Sequence, residues 1–124
     1  MTTEFISKSP IGIFDSGLGG LTVLKALEKI LPNESFIYFG DTAHVPYGSK
    51  SADTIIRYSR DIMEFFLTQS NTKAVVIACN TASAVAFQKI RSSYKIPLFD
   101  VVAPSVVHSN NFSQTRKIGV IGTY

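Results

Sequence analysis

The chain's only cysteine, Cys79, stands where the apolar run of Ala74–Ala78 gives way to "CNTAS". Such a change predicts a strand running into a helix. The thiol would then lie beside unsatisfied backbone N–H groups and the positive end of a helix dipole, a setting that favours thiolate over thiol. A thiolate can serve as a base, and Asn80 and Thr81 follow with an amide and a hydroxyl suited to holding a carboxylate. The competing reading is a buried, inert cysteine in a strand-to-helix turn. Residue type and position leave both readings open.

Two further loops carry groups that could work beside it. In "DSGLGG", Asp15–Gly20, glycines would let backbone N–H groups approach an anion at a helix N-terminus. Neither nucleotide signature fits: counted from Gly17, the last glycine of G-x-G-x-x-G is replaced by Thr22, and no G-x-x-x-x-G-K-[ST] occurs. An aspartate at the head of the loop would also repel phosphate. The stretch reads either as a tight strand-to-helix turn or as a grip in which Asp15 and Ser16 hold the ammonium of a small molecule. In "GDTAHVPYG", Gly40–Gly48, Pro46-Tyr47-Gly48 is turn chemistry, with the Gly48 N–H and the Tyr47 N–H and ring as candidate ligand contacts. His44 reads as a solvated loop residue rather than a base, and Asp41 as the group that closes the loop. One cysteine with two distant histidines, His44 and His108, offers no metal-ligand spacing. No serine elbow is present either.

The elements that must position these loops follow from periodicity. Short apolar runs alternate with longer helical patterns, which predicts an α/β fold: an open, mostly parallel sheet with helices on both faces. Strands are expected at Ile11–Asp15, Ser35–Gly40, Ala74–Ala78 and Leu98–Val102. A first helix would show Leu21, Leu24, Leu27 and Leu31 on one face and stop at Pro32. A second, Ser51–Gln69, has Asp53 in its first turn and Ile55, Ile56, Ile62, Met63 and Phe66 inward, and a third runs from Thr81 to Tyr94. The three loops then fall at the carboxyl ends of parallel strands, where ligands bind in such sheets. After Pro104 the polar "HSNNFSQTRK" reads as a loop before a last strand, Lys117–Gly122. "PIGIFDSG" and "KIGVIGTY" share an Ile-Gly-apolar-apolar pattern, so a second α/β unit is expected to begin at Lys117. The predicted organisation is a first α/β domain over residues 1–102, and a linker with the first strand of a truncated second domain over 103–124.

Composition narrows the classes. A chain of 124 residues, 45% hydrophobic, suits one modest packed domain. The formal charge of +3 comes from lysines and arginines scattered along the chain, which argues against a nucleic-acid footprint and is compatible with a small anionic substrate. A single cysteine makes no internal disulfide, no secretory leader pattern is visible, and no apolar run approaches the roughly 20 residues of a membrane span. A cytoplasmic protein is expected.

Taken in order, "GIFDSGLGGLTVL", "GDTAHVPYG" and "VVIACNTASA" resemble the glutamate racemases, of the cofactor-independent aspartate/glutamate racemase superfamily. The resemblance runs from about Pro10 to the end of the chain. It implies that Cys79 is a catalytic acid/base, taking the α-proton from D-glutamate with help from Asp15. It also implies that Asp15, Ser16, Tyr47, Gly48, Asn80 and Thr81 bind the substrate's amino and carboxylate groups, with neither cofactor nor metal. Members of the family are about twice as long, and their second catalytic cysteine, followed by Thr-His, lies in a second α/β domain. This chain has no second cysteine. The resemblance therefore implies an incomplete glutamate racemase, inactive by itself, from an enzyme that supplies D-glutamate for peptidoglycan. An unpaired strand at Lys117–Gly122 could join another copy in a homo-oligomer. The alternatives are another superfamily enzyme, such as an aspartate or hydantoin racemase or a maleate isomerase, or an association module with an idle cysteine.

Overall fold

Four short strands, each ending in a loop on the same edge, organise the computed structural model, which describes residues 8–122. They are β1 (Ile11–Asp15), β2 (Phe36–Gly40), β3 (Ala74–Ile77) and β4 (Leu98–Asp100). All pairings are parallel, in the order β2-β1-β3-β4. Asp15 sits opposite Gly40, and Phe14 opposite Ile77, so the loops after β1, β2 and β3 leave the sheet side by side. The expected strands are present, with β2, β3 and β4 shorter than predicted by one or two residues.

Helix α1 (Leu21–Ile30) connects β1 to β2, and α2 (Ala52–Thr68) connects β2 to β3. Because these crossovers run in opposite directions across the sheet, the right-handed rule puts their helices on opposite faces. Helix α2 starts at Ser51, whose Oγ accepts the Thr54 N–H at 3.3 Å, and buries Ile55, Ser59, Ile62, Met63 and Phe66 against the sheet. Phe66 lies so close to β1 that a Cβ on Gly12 would stand 2.8 Å from its ring. Glycine at that position is what lets helix and strand meet. The core on this face joins Phe14, Val75 and Ile77 of the strands to Ile55, Met63 and Phe66. On α1, by contrast, Leu24 and Leu27 are half-buried, and no residue is fully buried.

Three expectations need correction. The single helix predicted over Thr81–Tyr94 is α3 (Asn80–Val85), α4 (Phe87–Ile90) and a 3-10 turn at Arg91–Ser93. Its buried face, Ala82, Ala86 and Ile90, continues through the break, so the interruption is in hydrogen bonding and not in packing. The polar stretch after Pro104 is helical in its first half, where α5 spans Val102–Phe112, and residues 113–117 form the expected loop. Asp100 Oδ2 accepts the N–H groups of Val102 at 3.0 Å and Ala103 at 2.9 Å. Pro104 falls in the first turn, where an N–H has no intrahelical acceptor to lose. Finally, Lys117–Gly122 is not a strand. It pairs with no strand among the described residues, and Val120 and Ile121 are 90% and 102% exposed. A strand needs a partner for its N–H and C=O groups, and apolar patterning cannot supply one. Thr123 and Tyr124, the end of the expected repeat, lie outside the described residues. Among the described residues no helix is long and apolar enough to cross a membrane.

Candidate active site

The loop after β1 is held in place by its own hydrogen bonds. Asp15, the last residue of β1, is 7% exposed, and its Oδ2 accepts the Gly17 N–H at 3.0 Å. Its carbonyl takes the Asp41 N–H at 2.9 Å, tying the first loop to the second. Two glycines allow this closeness. A Cβ on Gly40 would lie 2.6 Å from the Gly17 carbonyl oxygen, and one on Gly20 would meet Asp15 Cβ at 2.8 Å and Ala78 Cβ at 2.9 Å.

Cys79 closes the third loop. Ala78 donates its N–H to the Phe14 carbonyl at 2.8 Å, which carries the β1–β3 register one residue past the strand and delivers Cys79 to the end of β1. Cys79 is the N-cap of α3: its backbone is extended, and its Sγ accepts the Ala82 N–H at 3.5 Å. The thiol in turn donates to Ser16 Oγ at 3.5 Å. Residues 63 positions apart in sequence thus meet through two adjacent strand ends.

The second loop is built around Asp41, which is buried. Its carboxylate accepts the Tyr47 hydroxyl at 2.6 Å and contacts His44 Nδ1 at 2.8 and 3.0 Å. His44 also stacks on Tyr58, with ring centroids 4.1 Å apart. His44 is the partly solvated loop residue expected from sequence, its side chain 44% exposed, and in addition a bonded part of the loop. Tyr47 is 1% exposed. Burial, then the Asp41 hydrogen bond and charge, push its phenol far above the ordinary value of 10.0 and keep it a donor. The ring belongs to the core, so a ligand at this loop would meet backbone and Gly48. The Tyr47–Ser49 turn packs on α3, and Gly48, Asn80 and Thr81 share one groove of about 1220 Å³. Its far wall is α5 and the segment 118–122.

The predicted residues thus fall into two neighbouring groups: Ser16 and Cys79 in hydrogen-bonding range, with Asp15 bonded to Gly17 of the same turn, and Gly48, Asn80 and Thr81 along the groove, with Tyr47 behind them as support. One residue escaped sequence reasoning. Tyr38 reaches from β2 to donate its hydroxyl to the Gly17 carbonyl at 2.9 Å. Burial, followed by the charge and hydrogen bonding of Asp15 and the charge of Cys79, raises its pKa above 10.0. The available signal was a lone hydroxyl in the apolar strand "FIYFG", two residues before the loop.

A family model, Asp/Glu/Hydantoin racemase, matches residues 11–124. The chain belongs to this family. Glutamate racemase from Thermus thermophilus is 51% identical over 116 residues, covering 94% of this chain and 44% of that protein. Its counterpart from Aquifex aeolicus is 49% identical, covering 91% and 44%. Among solved structures, glutamate racemase from Aquifex pyrophilus superposes with a TM-score of 0.86 at 49% identity, over 92% of this chain and 45% of that one. The Francisella tularensis enzyme, solved in complex with D-glutamate, gives a TM-score of 0.76 at 46% identity, over 85% and 40%. This family member spans less than half the length of the relatives it matches.

Proposed function

We propose that the chain carries one half of the catalytic site of a glutamate racemase, with Cys79 as the acid/base on one face of the substrate. The observation that carries this reading is the meeting of Cys79 with the Asp15–Ser16 turn, at 3.5 Å between Sγ and Ser16 Oγ, beside the groove of Gly48, Asn80 and Thr81. Family membership and relatives named glutamate racemase support the substrate class.

Inverting an α-carbon requires a base on one face and an acid on the other, both positioned before the proton moves. In this reading the Cys79 thiolate takes the α-proton of D-glutamate. It becomes a thiol and leaves the electron pair on carbon, delocalised into the carboxyl group. A second acid then protonates the opposite face to give L-glutamate, and in reverse the Cys79 thiol donates. Asp15 and Ser16 hold the ammonium and assist the thiol, while Gly48, Asn80 and Thr81 receive carboxylate oxygens. No cofactor enters the scheme.

The second acid is not a cysteine of this chain, whose sole cysteine is Cys79. It belongs to the further length that the relatives possess, in a second α/β domain that we place from Lys117 onward. Residues up to 102 form the first domain. Alone, the chain is an incomplete racemase, and in its complete form it supplies D-glutamate to peptidoglycan in the cytoplasm.

The test is exchange of the α-proton of D- and L-glutamate in deuterated water, with aspartate as the competing substrate and Cys79→Ser as the control. Exchange on glutamate that disappears in Cys79→Ser, without inversion, is the expected result. Exchange that survives in Cys79→Ser removes Cys79 from the mechanism, and preference for aspartate redirects the reading to another member of the family.

A further inference from the structure

We propose that Tyr38 is a positioning residue for this site: its hydroxyl, by holding the Gly17 carbonyl, sets the turn that carries Asp15 and Ser16 against Cys79. The consequence for turnover rests on the racemase reading, whereas the geometry does not. The backbone of Gly17 is held on three sides. Its N–H donates to Asp15 Oδ2 at 3.0 Å, its carbonyl accepts from Tyr38 Oη at 2.9 Å, and the bare Cα of Gly40 closes the remaining side. Ser16 lies between Asp15 and Gly17, so a rotation of this backbone swings Ser16 Oγ away from the cysteine sulfur.

Tyr38 is well suited to the task because it stands on a strand rather than a loop. It pairs in register with Ile13 of β1, so its hydroxyl is referenced to the same ladder that fixes Asp15. It also touches the far end of the turn: a Cβ on Gly20 would come within 3.1 Å of Tyr38 Oη. Burial and the neighbouring Asp15 and Cys79 keep the phenol protonated, and therefore a donor. A tyrosine that only filled space would not need its oxygen, which is what a Tyr→Phe change isolates.

The experiment is alkylation of Cys79 by iodoacetamide, read as a mass shift because the chain has no other thiol. Tyr38→Phe keeps the ring and removes the donor, so the chain should still unfold in one transition, with a midpoint lowered by only a few degrees. Loosening of the Ser16 contact should speed alkylation by about two- to tenfold, the equilibrium weight of one hydrogen bond. In a Ser16→Ala background the same change should add nothing, because both substitutions act through one contact. Gly40→Ala crowds the same carbonyl from the other side and should reproduce the acceleration, giving a second route if Tyr38→Phe folds poorly. Wild-type alkylation rates in both Tyr38→Phe and Gly40→Ala would overturn the proposal, as would full additivity with Ser16→Ala. Alkylation needs no substrate, so exchange that survives in Cys79→Ser or prefers aspartate overturns the racemase reading and still leaves this cycle to decide the role of Tyr38.

Discussion

Helices α2 and α5 begin alike and end differently. In each, a side-chain oxygen accepts first-turn N–H groups: Ser51 Oγ for Thr54, and Asp100 Oδ2 for Val102 and Ala103. Helix α2 then buries Ile55, Ile62, Met63 and Phe66, spaced to face one side, whereas α5 buries no residue and leaves Val106, Val107 and Phe112 more than 60% exposed. Capping is enough to start a helix in either place, but only α2 presents a continuous stripe to a surface that matches it. The sheet edge shows what that support makes possible. The loops over the packed half hold Ser16 and Cys79 within hydrogen-bonding range and Asp15 bonded to Gly17, while the groove wall that α5 and residues 118–122 provide is largely exposed.

The contrast can be broken by substitution. Phe66→Ala empties a position in contact with Gly12 and should cost about 3–5 kcal/mol in urea unfolding. Phe112→Ala, on the exposed end of α5, should change stability by no more than about 0.5 kcal/mol. Comparable losses in the two variants would show that α5 is packed in solution and that the distinction drawn between the helices is wrong.

A sharper comparison concerns the second loop. Asp41→Ala leaves the buried Tyr47 hydroxyl without its acceptor and should cost about 1–3 kcal/mol, with the loss read from urea midpoints. The same phenol sets an alkaline limit. Folding raises its pKa above the unfolded value of 10.0, so the native state holds the proton more tightly. The contribution is complete below about pH 10 and is lost as pH rises from there toward the folded value. The urea midpoint should therefore hold steady up to about pH 9 and fall beyond pH 10. A midpoint that stays level to the alkaline end would exclude the Asp41–Tyr47 bond as a source of stability.

The smallest effect tests how α5 starts. Asp100→Ala removes the acceptor of two first-turn N–H groups and should cost about 1 kcal/mol or less of local stability. Amide exchange at Val102 and Ala103 should accelerate while the amides of α2 stay protected. Acceleration spread over both helices would mean that α5 is coupled to the core.

Much of this was legible in the chain because it is written in short-range periodicity. The Ile11–Asp15 strand, the start of α2 near Ser51 and its inward residues follow from short apolar runs and helical spacing within a few residues. The family itself is carried by three loop motifs, and these same loops hold the candidate site. What sequence alone misjudged lay where local pattern and environment disagree. Polar residues after Pro104 suggested a loop, yet Asp100 supplies a cap and the proline occupies a turn that needs no N–H. Ile-Gly-Val-Ile suggested a strand at Lys117–Gly122, yet a strand exists only with a partner.

By itself, then, the sequence singled out the residues whose types could carry chemistry and the elements that present them: a lone thiol at a strand end, an Asp-Ser turn and an Asn-Thr helix start. Only the tertiary structure decided that Ser16 Oγ stands 3.5 Å from the thiol, that the Tyr47 ring serves the core, and that Tyr38 holds the turn between them. The physical reason is register. Parallel pairing of β1 with β2 and β3 brings residues from distant parts of the chain to one sheet edge, and contacts of that kind depend on the assembled ladder rather than on the spacing of residues along any one segment.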